Sequence, residues 1–104
     1  MLGVQLIGIE RMEQLEKHNR TIAEDVTLNA DGQLSLAAGI LSQKNIPKEY
    51  ADNLIPKGWD EVIWRKMVEK PYFDRLIIAG ALIAAELDRL QVSDLSKSGI
   101  GERP

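Results

Sequence analysis

Residues 71–91, PYFDRLIIAGALIAAELDRLQ, decide the fold. The opening Pro71 suits the first turn of a helix, where its missing N–H would have no partner. Asp74 adds a carboxylate near the positive end of the helix dipole. From Leu76 to Leu87 the only non-aliphatic residues are Gly80 and Glu86. A helix that is apolar nearly all round must be covered on most sides. At about 1.5 Å per residue it spans roughly 30 Å, the width of a small domain. The apolar run is too short to cross a bilayer, and Asp74, Arg75, Glu86 and Asp88 flank it closely. Pro71–Gln91 is therefore expected to be a buried central helix.

The rest of the chain is read as its cover. A length of 104 residues suits one domain with a single core. Apolar and charged contents of 44% and 28% are ordinary for a globular protein. With no cysteine, disulfides and thiolate chemistry are excluded, which fits a reducing, cytoplasmic setting. No basic segment followed by an apolar core and a cleavage site stands at the N-terminus, so no secretory signal is expected. The formal net charge of −3, with both signs interspersed, argues against a nucleic-acid binder working through a basic face.

Apolar residues at helical spacing appear first in LGVQLIGIERMEQLEKHNR. There Leu2, Leu6, Ile9, Met12 and Leu15 or Glu16 form the expected inner face, with Glu10, Arg11, Glu13, Glu16 and Lys17 mostly on the other side. The helix is expected to end near His18 or Asn19. RTIAEDVTLNADG keeps no period and reads as a long structured loop, about 20–31. Asp31 is expected to cap a second helix from about Gly32 to Lys44. The alanines of that helix, Ala37 and Ala38, would meet Gly80, Ala81, Ala84 and Ala85 in a close packing seam. Asn45–Lys57 looks mostly irregular, with one helical turn possible after Pro47. A short helix from about Asp60 would turn Val62, Ile63, Met67 and Val68 inward and end before Pro71. Residues 92–104 are polar and glycine-containing and read as a flexible tail to a helical domain of 1–91.

The densest polar cluster spans the first helix and the loop. Glu10, Glu13 and Glu16 follow an i, i+3, i+6 spacing, so neighbours lie together on a helix surface. Asp25, Asn29 and Asp31 follow. Mg²⁺ takes oxygen ligands, often carboxylates plus substrate phosphates, and such a helix facing Glu86 and Asp88 would supply them. The plainer alternative is a solvated face with cap and turn residues. His18, the only histidine, fits a group at a helix end better than a catalyst. Trp59 and Trp64 are candidates for a pocket floor, with core packing as the alternative. Arg75 would pair with Asp25 or with a phosphate.

Together these segments resemble a small family of phage and prophage proteins. The resemblance rests on Glu10-Arg11-Met12-Glu13-Gln14, Glu16-Lys17-His18, Thr21, Asp25, Asn29, the DGQL of Asp31–Leu34 and RLIIAGALIAAELDRL at Arg75–Leu90. It covers roughly Ile9 to Gln91 and implies a small helical protein without an assigned reaction. Where many members carry histidines in the loop, this chain has Glu24 and Asn29, which would shift any ligation towards oxygen. More distantly, Glu10, Glu13 and Glu16 are similar to half of the metal site in the MazG-type all-α nucleotide pyrophosphohydrolases. The ExxD that would complete it is missing, with Glu86 and Asp88 as the nearest substitute.

The expectation is thus an all-α bundle around about 71–91, forming a homodimer because its apolar central helix needs more cover. It would be a binding or interaction module for a protein or small anionic ligand, with a Mg²⁺-dependent enzyme as the alternative. Candidate ligand residues are Glu10, Glu13, Asp25, Asn29 and Glu86, and candidate pocket residues are Trp59, Trp64 and Arg75.

Overall fold

The computed structural model describes residues 1–16 and 21–98, with side chains described to residue 92. The described residues form an all-α fold of six helices. They are α1 (Gly3–Glu16), α2 (Ile22–Leu28), α3 (Gln33–Leu41), α4 (Lys48–Asn53), α5 (Glu61–Val68) and α6 (Tyr72–Ser98). The long α6 is the axis, packed most extensively by α3, then by α1 and α2. Among the described residues no helix is long and apolar enough to cross a membrane.

The core lies where α3 meets α6. Leu34, Ala37, Ala38, Ile40 and Leu41 of α3 pack with Ile78, Ala79, Leu82 and Ala85 of α6, all buried. Ala81 is also fully buried, so small residues do line the seam. Gly80 points elsewhere, to Ile7 of α1. The core is closed by Trp64 of α5, fully buried, whose Nε1 donates to Ala51 O of α4 at 3.1 Å. Pro71 stands just outside α6, and its carbonyl accepts from Arg75 N at 2.9 Å.

Several expectations are corrected. The 20–31 segment is not simply a loop but contains α2, capped by Thr21, whose Oγ1 accepts from Glu24 N at 3.1 Å. Its buried positions are Asp25 and, at the cap, Asn29, so no apolar period announces it. The expected face of α1 is not the buried one: Arg11 and Gln14 are buried, while Leu2, Ile9 and Met12 are exposed and Leu6 and Leu15 are half-buried. Of the four α5 residues expected to face inward, Val62 and Ile63 are exposed, while Met67 and Val68 pack on the core beside Trp64. The last helix continues past Gln91 to Ser98, because VSDLSKS holds neither glycine nor proline to stop it. The expected end of α1 at His18 or Asn19, and the tail from 99 onward, lie outside the described residues.

Asp31 does not cap α3. The cap position belongs to Gly32, in the left-handed region at φ 82°, with no side-chain bond. The Asp31 carboxylate instead meets Lys57 Nζ at 3.4 Å on the exposed surface. Gln33 takes over the joining role: its Oε1 accepts from Asp31 N at 2.7 Å, and its Nε2 donates to Leu28 O at 3.2 Å.

Candidate functional site

Three helices leave a groove between them of about 490 Å³. One wall is the inner side of α1, with Glu10, Glu13 and Gln14. Facing it are Ile63, Lys66 and Met67 of α5, and Lys70 just beyond that helix. From α6 come Asp74, Ile77 and Ile78. The groove therefore has an aliphatic lining and a rim carrying both signs of charge. A smaller crevice of about 220 Å³ adjoins it, sharing Ile63 and Met67 and lined also by Asn29, Trp59 and Asp60.

Behind that crevice runs a chain of hydrogen bonds. Trp59 Nε1 donates to Asn29 Oδ1 at 2.8 Å, and Asn29 Nδ2 donates to Asp25 Oδ1 at 2.8 Å. Both amide atoms of Asn29 are thereby assigned, since an indole N–H only donates and an ionised carboxylate only accepts. The Trp59 ring meets Trp64 edge to face, with centroids 6.0 Å apart and planes at 77°. Asp25 is 2% exposed, so it anchors α2 from inside and presents no carboxylate face to solvent.

The structure brings some sequence candidates together and separates others. Glu10 and Glu13 share the groove, and Asn29 and Trp59 share the adjoining crevice. Glu86 is held by Arg89, which donates to its two carboxylate oxygens at 2.7 and 3.0 Å. Asp88 accepts from Arg11 Nη2 at 2.9 Å and Nε at 3.3 Å. Trp64 is part of the core and lines a separate crevice of about 320 Å³ with Ile46, Ala51 and Val68. Arg75 does not pair with Asp25. Its guanidinium donates to the backbone carbonyls of Leu41 (2.8 Å), Gln43, Lys44 (3.0 Å) and Lys70 (2.9 Å). A cation there satisfies the open carbonyls following α3, the usual chemistry of a helix C-terminus. His18 lies outside the described residues.

No group of three or more His, Cys, Asp or Glu side chains among the described residues could hold a metal ion. Of the candidate ligands, Glu86 is engaged by the Arg89 guanidinium and Asp25 by the Asn29 amide.

Two buried polar atoms remain without partners at the α1–α6 contact: Arg11 Nη1 and Gln14 Oε1. Each such atom forfeits about 1–3 kcal/mol of solvation. Native proteins hold few of them, so each calls for a reason. Gln14 lines the groove and is 5% exposed. Sequence reading passed over it, as it did Lys66 and Lys70, because a neutral amide inside a helix carries no pattern. The available signal was Gln14 standing three residues after Arg11, on one helix face.

Comparison with family models, with curated proteins and with solved structures finds no match for this chain.

Proposed function

We propose that this protein is an interaction module without turnover, working as a homodimer of the small phage or prophage type that its motifs resemble. The observation that supports this is the packing of α1: its polar residues Arg11 and Gln14 face the core while Leu2, Val4, Ile9 and Met12 face solvent. Ordinary amphipathic helices do the opposite. On α6 a second apolar stripe is exposed, formed by Phe73, Leu76, Ile83, Leu87 and Leu90. With Gly80 included, these positions alternate by three and four residues, the spacing of a seam that receives another helix. At Gly80 that seam is already filled by Ile7 of the same chain. A second copy is the partner of choice, because both faces recur in every copy and a two-fold axis lets each cover the other. Exposed apolar residues grouped in this way mark an interaction site. A cytoplasmic setting belongs to the same reading.

Light scattering at micromolar concentration tests it. The wild type runs as a dimer, and Met12→Asp combined with Ile83→Asp runs as a monomer with the same helical circular dichroism. A monomeric wild type overturns the reading. The enzyme alternative is tested in parallel by melting with and without Mg²⁺. The expected result is no Mg²⁺ shift in either wild type or Asp25→Asn, whereas a shift present in wild type and lost in the variant would restore the metal-dependent enzyme.

A further inference from the structure

The groove lies on the inner side of α1, away from the apolar residues proposed to pair copies, and it asks for a different occupant. Its defining feature is the Gln14 side chain, nine-tenths buried and lining the groove, with Oε1 accepting no hydrogen bond. Its Nε2 donates to no group among the described residues either. Oε1 is shut off from solvent in this arrangement, and turning the amide over exchanges its donor and acceptor, so that either can be brought to an occupant. A backbone peptide unit presents the complementary pair, one C=O and one N–H.

The surroundings narrow the class. Ile63, Met67, Ile77 and Ile78 give the groove an aliphatic lining without an aromatic ring on which a base would stack. Glu10, Glu13 and Asp74 set carboxylates beside Lys66 and Lys70, so the rim does not favour a polyanion. The volume, about 490 Å³, falls within the roughly 300–1,000 Å³ of ligand sites. A helical peptide would bring no free backbone groups to Gln14, since its own turns use them. An extended one does, and its side chains alternate to either side, one set into the apolar lining. We infer that the groove between α1, α5 and α6 binds an extended peptide segment with aliphatic side chains, read through its backbone by Gln14.

The test is nuclear magnetic resonance on the full chain, with the blocked dipeptide N-acetyl-leucyl-leucine methylamide as probe. Titration is expected to shift the Gln14 side-chain amide and the methyl groups of Ile63 and Ile77, with saturation. In Gln14→Leu the same methyl shifts are expected to need about tenfold more probe, the loss of one or two hydrogen bonds. Gln14→Glu, which keeps the length but removes the donor, is expected to show the same weakening and guards against a folding defect in the first variant. Shifts that grow linearly without saturating overturn the proposal, as does an unchanged response in both variants. A saturable response to adenosine monophosphate but not to the dipeptide overturns it in favour of a nucleotide. The Met12→Asp/Ile83→Asp variant should bind the dipeptide as wild type does, so the groove and the pairing of copies fail or stand separately.

Discussion

α3 and α1 both lie along α6, and they do so with opposite chemistry. α3 brings Leu34, Ala37, Ala38, Ile40 and Leu41, all buried, to an equally apolar face of α6. α1 brings Ile7 to Gly80 but also Arg11 to Asp88, and leaves Leu2, Val4, Ile9 and Met12 in solvent. In the first contact, removal of apolar surface from water is the driving term, worth about 25 cal/mol per Å². In the second, a guanidinium and an amide are desolvated, and only part of their hydrogen-bonding capacity is met. A partly buried ion pair is weak evidence for stability, because desolvation of the guanidinium and solvent screening at Asp88 offset much of its attraction. The comparison teaches that α3 is held by its own burial, whereas α1 is placed by polar contacts and carries its apolar surface outward.

The largest expected effect follows from the α3 contact. Leu82 is 0% accessible and belongs to the core where α3 meets α6. Leu82→Ala should cost about 2–5 kcal/mol, the range for a leucine removed from a packed core. Ile9→Ala, made in the Met12→Asp/Ile83→Asp background so that pairing of copies does not enter, should stay within about 0.5 kcal/mol, as surface changes do. Urea unfolding of the two variants reads the difference. Equal losses would mean that α1 buries its apolar face after all.

The same contrast explains what could be read from the sequence. The α3–α6 seam was legible because Leu34, Ala37, Ala38 and Leu41 recur at helical spacing and Ala81 and Ala85 answer them. The inner face of α1 was not, because the regular spacing of Leu2, Ile9 and Met12 marks the side that faces solvent. What selects the side is the Arg11–Asp88 pair, between residues 77 apart in sequence. α2 was hidden for a related reason, since its buried positions are Asp25 and the capping Asn29. Of the site, the acidic spacing of Glu10 and Glu13 could be seen, and so could Trp59. The lysines opposite, and the amide between them, depend on how α5 is laid against α1, which no local pattern records.

A medium effect is expected where α1 touches α6 most closely. A methyl group added at Gly80 would fall against Ile7 Cδ1 and lie 2.7 Å from its Cγ1. Isoleucine is branched at Cβ and has few rotamers to retreat into. Overpacking of this kind costs about 1–3 kcal/mol, against which alanine gains up to about 1 kcal/mol in helix propensity. Gly80→Ala should therefore destabilise by about 1 kcal/mol. Adding Ile7→Ala removes the clash, so the double variant should be more stable than the sum of the two single changes. Strict additivity in a thermal or urea cycle would show that α1 does not rest on Gly80.

The smallest effects separate two aspartates that look alike in sequence, each followed by a helix. Asp60 accepts from Ile63 N at 3.0 Å and caps α5. Asp31 precedes α3, yet its carboxylate meets only the exposed Lys57 at 3.4 Å, and Gly32 holds the cap position. A side-chain cap satisfies one of the helix's unpaired N–H groups, and its loss typically costs about 1 kcal/mol. An exposed ion pair is screened by water and salt and contributes little. Asp60→Ala should thus lower stability by about 1 kcal/mol, and Asp31→Ala should change it by less than about 0.5 kcal/mol. Gly32→Ala supplies the control, because alanine at φ 82° is strained by about 1–2 kcal/mol. If Asp31→Ala proved as costly as Asp60→Ala while Gly32→Ala cost nothing, the entry to α3 would be the aspartate cap that the sequence suggests, and Gln33 would lose its place as the residue joining α2 to α3.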